Sequence, residues 1–262
     1  MKALRALIVL LAALPAAALA SEEGYPLQEA NADVSNLASL QRGARNFVNY
    51  CQGCHSAKYM RYSQLATDLA LTEDDVKANL MFTGERIYDT MQSVMPPEKA
   101  RQWFGNAPPD LSLIVRSRGP DYVYTFLRSF YEDSSRPTGV NNAVLPGTAM
   151  PHVLAPLQGV QRARHENEDK KEEGGLVGAG GGGGGDGGGT PSGHIVLEPG
   201  TAGDMPAATF DSFVRDTVAF LTYVAEPAKA RRESLGIWVV LFLLMFAAFA
   251  WFLYKEYWKD VT

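Results

Sequence analysis

The sequence predicts a mainly α-helical exported domain with long loops, followed by one C-terminal transmembrane helix. Residues 1–20 carry Lys2 and Arg5, then an apolar run, then small residues that end at Ala20, which is the pattern of a cleaved secretory signal. Residues 237–254 contain no charged side chain, and 18 residues of helix cross most of a bilayer. Between these two segments, apolar residues recur at helical spacing, and prolines and glycines mark the stretches that separate the helices.

These features divide the chain into three parts. Residues 1–20 are predicted to be the signal peptide, residues 21–227 the exported domain, and residues 228–262 the membrane anchor with a short cytoplasmic tail. Within the exported domain, residues 166–193 begin with a charged, mostly acidic run and hold 13 of the chain's 25 glycines. Because this composition cannot bury enough apolar surface to fix one conformation, we predict a flexible surface insertion there.

Five segments of the exported domain are predicted to be helical. The strongest are the two in which apolar residues repeat along one face, and the apolar face of each requires a partner, so we expect the two to pack together. A threonine followed by three acids is a helix N-terminal signal for a third. The predicted helices run from Leu37 to Tyr50, from Thr72 to Leu80, from Leu111 to Val115, from Tyr122 to Phe130 and from Thr209 to Val224. Residues 95–110 and 131–160, rich in proline, are expected to be loop or irregular.

Charge and cysteine content exclude several classes of protein. The formal net charge is −5, and removing two cations with the signal peptide makes it −7, which argues against a nucleic-acid partner and for a basic or neutral one. The two cysteines, Cys51 and Cys54, are too few for a disulfide framework or for a four-cysteine zinc site.

The two cysteines lie in the sequence Cys51-Gln52-Gly53-Cys54-His55, the attachment motif of c-type haem. The thiols form thioethers with the haem vinyl groups, and the histidine beside the second cysteine reaches the iron. The main alternative is a redox dithiol, which follows a strand and opens a helix, whereas this motif ends a predicted helix. One motif predicts one covalently attached haem c, with His55 as an axial ligand.

The residues alone leave the second axial ligand open. A methionine thioether suits electron transfer because a soft ligand raises the potential and closes the iron to oxygen. Three methionines precede a proline in a loop, whereas Met1 lies in the signal and Met245 in the membrane segment. Met60, Met81 and Met91 lie in helix-like segments, where a core role is expected. The three candidates are Met95, Met150 and Met205. His152 is the alternative, since His165 and His194 flank or lie near the flexible insertion.

Over nearly its whole mature length the chain resembles the cytochrome c1 family, the membrane-anchored haem subunits of bacterial and related cytochrome bc1 complexes. The haem motif by itself is common to many electron carriers, so the resemblance depends on several further blocks. They are Gly43-Ala44-Arg45, Asn49-Tyr50-Cys51, Asn106-Ala107-Pro108-Pro109-Asp110-Leu111-Ser112, Ile114-Val115-Arg116, Asp121-Tyr122-Val123, Pro137-Thr138-Gly139, Pro146-Gly147-Thr148-Ala149-Met150-Pro151 and Ala225-Glu226-Pro227.

The resemblance implies a mainly α c-type cytochrome domain and roles for particular residues. Met150 matches the family's sixth ligand to the iron, and His55 its fifth. Arg118 and Tyr122 would face the haem propionates, a pairing of a cation and a hydroxyl with carboxylates. The haem edge would be lined by Asn106, Ala107, Pro108 and Pro109. The glycine-rich stretch departs from the family pattern.

The resemblance also implies a function and partners. The chain would be the electron-transfer subunit of ubiquinol–cytochrome c reductase, taking electrons from the Rieske iron–sulfur protein and passing them to a soluble or membrane-tethered cytochrome c. It would be an electron carrier within an enzyme complex with cytochrome b, with no bond-making chemistry of its own. We expect a dimeric complex in the bacterial inner membrane, with the haem domain on the periplasmic side. The alternatives are a membrane-anchored monohaem subunit of another oxidase or reductase, and a haem sensor with an open iron site.

Overall fold

The computed structural model describes residues 24–165 and 195–259, so the predicted signal peptide and the glycine-rich insertion lie outside the described residues. An extended lead-in, residues 24–36, precedes the first helix. The helices of the described residues are α1 (Leu37–Tyr50), α2 (Tyr62–Asp68), α3 (Glu73–Asn79), α4 (Pro97–Phe104), α5 (Ile114–Arg118), α6 (Pro120–Arg128), α7 (Ala155–Gln158), α8 (Ala207–Ala225) and α9 (Lys229–Tyr257). The predicted mainly α fold with one long C-terminal apolar helix is confirmed.

Short strands lie between the helices. They pair two by two, and each pair forms a two-stranded antiparallel sheet. They are β1 (Ala57–Arg61) with β2 (Thr90–Met91), β3 (Phe130–Glu132) with β4 (Val140–Asn142), and β5 (Gly159–His165) with β6 (Ile195–Ala202). Ala57 lies opposite Met91, Phe130 opposite Asn142, and Ala163 opposite Leu197.

The core is built where α1 crosses α8, and the predicted pairing of these two helices is confirmed. Phe47 and Phe220 meet with ring centroids 5.6 Å apart, and both are fully buried. A polar tie joins the same two helices, because Arg42 Nε lies 2.6 Å from an Asp216 carboxylate oxygen and Ser39 Oγ donates to the other oxygen at 2.5 Å. A buried carboxylate is tolerated here since both its oxygens have partners.

Gly43 permits this close approach of α1 and α8. A Cβ at that position would lie 2.1 Å from the backbone oxygen of Asp216 and 2.7 Å from Cβ of Phe220. Gly43→Ala therefore forces the helices apart, and we expect it to lower the free energy of unfolding by about 2 kcal/mol. Urea unfolding followed by circular dichroism measures this. Gly53→Ala is the control, because an added Cβ there meets nothing within 4 Å; equal midpoints for the two variants would contradict the packing argument.

Three sequence expectations about secondary structure were wrong. Residues 95–110 contain α4, because Pro97 occupies the first helical turn, where a proline removes no helical hydrogen bond, and Gly105 ends the helix with φ of +78°. Residues 131–160 contain strand pairing and α7, since short strands produce no sustained alternation in the sequence. Met60 and Met91, expected in helices, lie in β1 and β2, although their predicted core role is right because both are buried.

Helix α9 is long and apolar enough to cross a membrane. The candidate span is Arg231–Tyr257; its 18-residue apolar window has a mean hydropathy of 2.5, and none of that window is buried inside the protein. The helix extends past residues 237–254 at both ends, where polar and aromatic residues continue it. An exposed apolar stretch of this length within a 29-residue helix requires a nonaqueous environment, which fits a single-pass membrane anchor.

Candidate haem site

The haem-attachment motif forms a tight turn that caps α1. The Cys51 amide donates to the Phe47 oxygen at 2.8 Å, and the His55 amide donates to the Cys51 oxygen at 2.8 Å. Gln52, 1% exposed, fixes the turn from inside, because its Nε2 donates to the Tyr62 hydroxyl at 2.7 Å. Both cysteine side chains and the imidazole are therefore presented from one turn of chain.

His55 is held in an orientation that suits an iron ligand. Its Nδ1 lies 2.8 Å from the backbone oxygen of Pro109 and donates to it, so the ring can offer only Nε2 to a metal. Burial lowers the pKa of His55, which keeps the imidazole neutral at neutral pH, the form that binds iron.

Residues 109–112 run alongside residues 55–59, and this contact was not foreseen from the sequence. The Leu111 amide donates to the Ser56 oxygen at 2.7 Å. Asp110 accepts from the Lys58 amide at 3.0 Å, and Ser112 accepts from the Tyr59 amide at 3.2 Å. The Pro-Pro-Asp-Leu-Ser block thus joins the haem motif through both backbone and side chains, which gives Asp110 and Ser112 a role in holding Pro109 against His55.

The two thiols do not resemble a redox dithiol. Both are free, and burial raises the pKa of Cys51 to about 12, with a further contribution from Cys54. A reactive dithiol needs a lowered pKa at a helix N-terminus, whereas Cys51 lies at the C-terminal end of α1. Among the described residues, no group of three or more His, Cys, Asp or Glu side chains is arranged to hold a metal ion.

The four candidates for the second iron ligand differ in their neighbours, but burial does not single out one of them. Met150 and Met205 are both half-buried and pack against the main core, so burial does not choose between them. Met95 lies beside the haem motif, since its amide donates to Ser93, which itself donates to the Gly53 oxygen. His152 is buried, and burial lowers its pKa to about 4.

Arg118 and Tyr122 lie together at the junction of α5 and α6. The Arg118 guanidinium carbon is 5.5 Å from the centre of the Tyr122 ring. Arg118 is exposed and thus available to an anionic group. In the described part of the chain, no hydrogen bond, ion pair or ring contact joins this pair to the haem motif. Ala107 and Pro108 are half-buried, and Asn106 is exposed, in the turn that leads to Pro109.

The donor set fits a covalently attached haem. Two free thiols are separated by two residues, and the Nδ1 of the neighbouring imidazole is hydrogen-bonded, which leaves Nε2 for a metal. Half-buried methionine side chains are available as a second ligand to the iron. Together with the exposed helix α9, these features define a membrane-anchored c-type haem protein.

The chain belongs to the cytochrome c1 family. The family model described as the Cytochrome C1 family matches residues 30–161 and 199–261, and the gap between the two ranges contains the glycine-rich insertion. Members of this family are haem subunits of the bc1 oxidoreductase complex and carry one covalently bound haem c. The expected family, cofactor and place in electron transport are thereby confirmed.

Three relatives illustrate the match. The chain is 45% identical over 247 residues to the cytochrome c1 of Allochromatium vinosum, and this match covers 94% of each chain. It is 37% identical over 268 residues to a Nitrosomonas europaea protein named ammonia monooxygenase gamma subunit, across 100% of both chains. It is 27% identical to a Bradyrhizobium diazoefficiens protein named cytochrome b/c1, where the match covers 85% of this chain and 33% of that protein.

Proposed function

We propose that the chain is the electron-transfer subunit of ubiquinol–cytochrome c reductase, which takes electrons from the Rieske iron–sulfur protein and passes them to a soluble or membrane-tethered cytochrome c. The observation that carries the proposal is the contact of residues 109–112 with the haem motif, centred on the 2.8 Å contact of His55 with Pro109. This contact ties a block typical of the family to the proposed iron ligand. A bound haem c supplies reversible one-electron chemistry.

Each proposed site residue has a separate task. Cys51 and Cys54 hold the haem covalently, and His55 binds the iron through Nε2 while Pro109 fixes the tilt of its ring. Met150 would supply the second protein ligand, and its soft sulfur would favour ferrous iron and exclude oxygen. Because electron transfer changes no bond of the protein, these residues need only hold one geometry through both oxidation states.

The residues around the haem edge would set its access and charge. Asn106, Ala107, Pro108 and Pro109 would line the edge, where the rigid diproline keeps the turn in one conformation. Arg118 and Tyr122 would face the propionates, and the exposed guanidinium is able to pair with a carboxylate.

The proposed location is the bacterial inner membrane with the haem domain in the periplasm. A secretory signal before the domain and one apolar span after it lead to that orientation. Cytochrome b is the proposed neighbour in the membrane, supported by the relative whose name joins b and c1 in one protein. The fully exposed face of α9 provides a surface for such a neighbour, and we propose that the whole complex is a dimer.

A second candidate function comes from the Nitrosomonas relative named as a monooxygenase subunit. A membrane-anchored monohaem subunit of another oxidase or reductase would keep the haem, the axial ligands and the anchor. It would differ in its partner proteins and in its source of electrons.

Purification of the tagged chain from its native membrane in mild detergent separates the two candidates. We expect b-type haem in reduced-minus-oxidised spectra, an iron–sulfur protein among the companions, and reduction of the haem c by ubiquinol that quinol-site inhibitors block. A chain that emerges with a monooxygenase or terminal oxidase, and without b-type haem, would refute the reductase function. The haem-site proposal would survive that outcome, because it depends on the spectrum of this chain alone.

A further inference from the structure

His152 is a buried histidine whose main contact is not a hydrogen bond. It is 9% exposed, and neither ring nitrogen has a hydrogen-bond partner in good geometry among the described residues. The Gln158 side chain and the Gly159 backbone are its polar neighbours, and their effect on the His152 pKa is smaller than that of burial. Because the polar atoms of the ring gain little from hydrogen bonding, the packing of the ring decides what this residue contributes.

The imidazole is instead held by stacking. It lies parallel to the Phe130 ring, with centroids 4.9 Å apart and an interplanar angle of 4°. Phe130 is 1% exposed and also makes an edge contact with Phe126, with centroids 5.2 Å apart. Phe126 in turn stacks on Tyr122 at 6.3 Å. One continuous row of rings therefore leads from Tyr122 and Phe126 of α6 through Phe130 of β3 to His152.

Phe130 is a rigid platform for this contact. It lies on β3, opposite Asn142 of β4. Its backbone oxygen accepts from the Gln161 side chain on β5 at 2.9 Å. Because two neighbouring strands hold the residue, a ring stacked on Phe130 is placed relative to the whole domain.

Met150 lies two residues before His152 on a loop that is secured at both ends. On the earlier side, Arg136 donates to the Gly147 oxygen at 2.8 Å, and the Met150 amide donates to Thr148 Oγ1 at 3.3 Å. On the later side, the His152 ring is the buried anchor, and its backbone oxygen accepts from the Ala155 amide at 3.1 Å. Met150 therefore lies on a short segment whose backbone is held on one side by the Thr148 turn and on the other by the His152 anchor.

We propose that His152 is a positioning residue for Met150, whose stack on Phe130 fixes the loop and thereby sets the sulfur against the iron. This inference depends on the proposed role of Met150 as the axial ligand. The stacked ring does this work rather than its nitrogens, because the ring lies parallel to Phe130 while neither nitrogen has a hydrogen-bond partner in good geometry among the described residues.

Four variants of the full chain, in detergent with haem attached, test the stack. The readouts are the charge-transfer band of methionine-ligated ferric haem, the midpoint potential, carbon monoxide binding by the ferrous form, and the thermal midpoint. His152→Ala should lose most of the band, lower the potential and bind carbon monoxide. Phe130→Leu, a milder change, should do the same with His152 present. His152→Phe should keep the band and resist carbon monoxide, because it preserves the stacked ring. Leu69→Ala is the control and should lower only the thermal midpoint. Leu69 is buried, and its backbone oxygen accepts a hydrogen bond from Gln41 of α1.

Each alternative outcome is decisive. If His152→Ala keeps the band and the potential while its thermal midpoint falls, His152 is structural only. If His152→Phe loses the band as His152→Ala does, a ring nitrogen is needed and the stacking account is wrong. Met150→Leu is measured in parallel. An unchanged band there refutes the ligand assignment itself, whereas a lost band with an intact His152→Ala spectrum refutes only the positioning role.

Discussion

Met150→Leu is expected to leave the haem covalently attached while opening one face of its iron. Cys51, Cys54 and His55 are untouched, so the thioethers and the proximal bond form as before. Leucine has no donor atom, and the potential should fall by on the order of 100 mV, because axial ligands tune haem over a range of about 0.8 V. Carbon monoxide should then bind the ferrous form, and the band of a methionine–ferric iron bond should disappear. Redox titration and optical spectra measure both effects.

Met205→Leu and Met95→Leu are the matched controls, since each removes a thioether that also precedes a proline. Met205 is as half-buried as Met150 and packs on the same core, so its replacement should cost comparable packing. We expect both control variants to keep the potential and the resistance to carbon monoxide. The ligand assignment is wrong if Met205→Leu or Met95→Leu opens the iron and Met150→Leu does not.

A chain that stops after Pro227 is expected to move from the membrane to the soluble fraction with its haem attached. The core residues of the domain lie before that point, because α8 ends at Ala225 and none of the candidate span is buried in the protein. Apolar residues at the centre of a span each contribute about 0.3 to 0.6 kcal/mol to insertion, so losing the span removes most of the affinity for the bilayer. Fractionation and the reduced spectrum of the soluble chain measure the outcome.

The full chain provides the control and should stay in the membrane after an alkaline wash. The mass of the truncated protein adds an independent check on the predicted signal, since cleavage after Ala20 leaves Ser21 as the first residue. A truncated chain that remains in the membrane with Ser21 at its start would mean that the haem domain binds the membrane by another surface. One that is soluble but lacks haem or the native spectrum would mean that α9 contributes to the folded domain.

The parts of the molecule that depend on neighbours in the sequence were predictable. Helix α1 has the predicted bounds, Leu37–Tyr50, because its apolar residues repeat at helical spacing. Thr72 caps α3 with a reciprocal contact to Asp75, as a threonine before three acids indicates. The apolar segment that became α9 needs no tertiary partner to be recognised, since its length and lack of charge are enough.

The choice among Met95, Met150 and Met205 shows where reasoning from residues ends. All three precede a proline, and local pattern cannot say which thioether reaches one particular iron. The resemblance to the family chose Met150, and burial in the structure does not separate it from Met205. The choice therefore still depends on the family and on the variant experiments above.

By itself, the sequence determined the helical class, the proposal of one haem attached at Cys51 and Cys54, and the C-terminal span, because each depends on about 20 neighbouring residues. Only the tertiary structure decided which groups contact the proposed ligand residues and their neighbours. Pro109 reaches His55 across 54 residues of chain, and Phe130 of β3 stacks on His152. Such contacts arise from the packing of elements that are distant in the sequence, so the local periodicity of the sequence does not predict them.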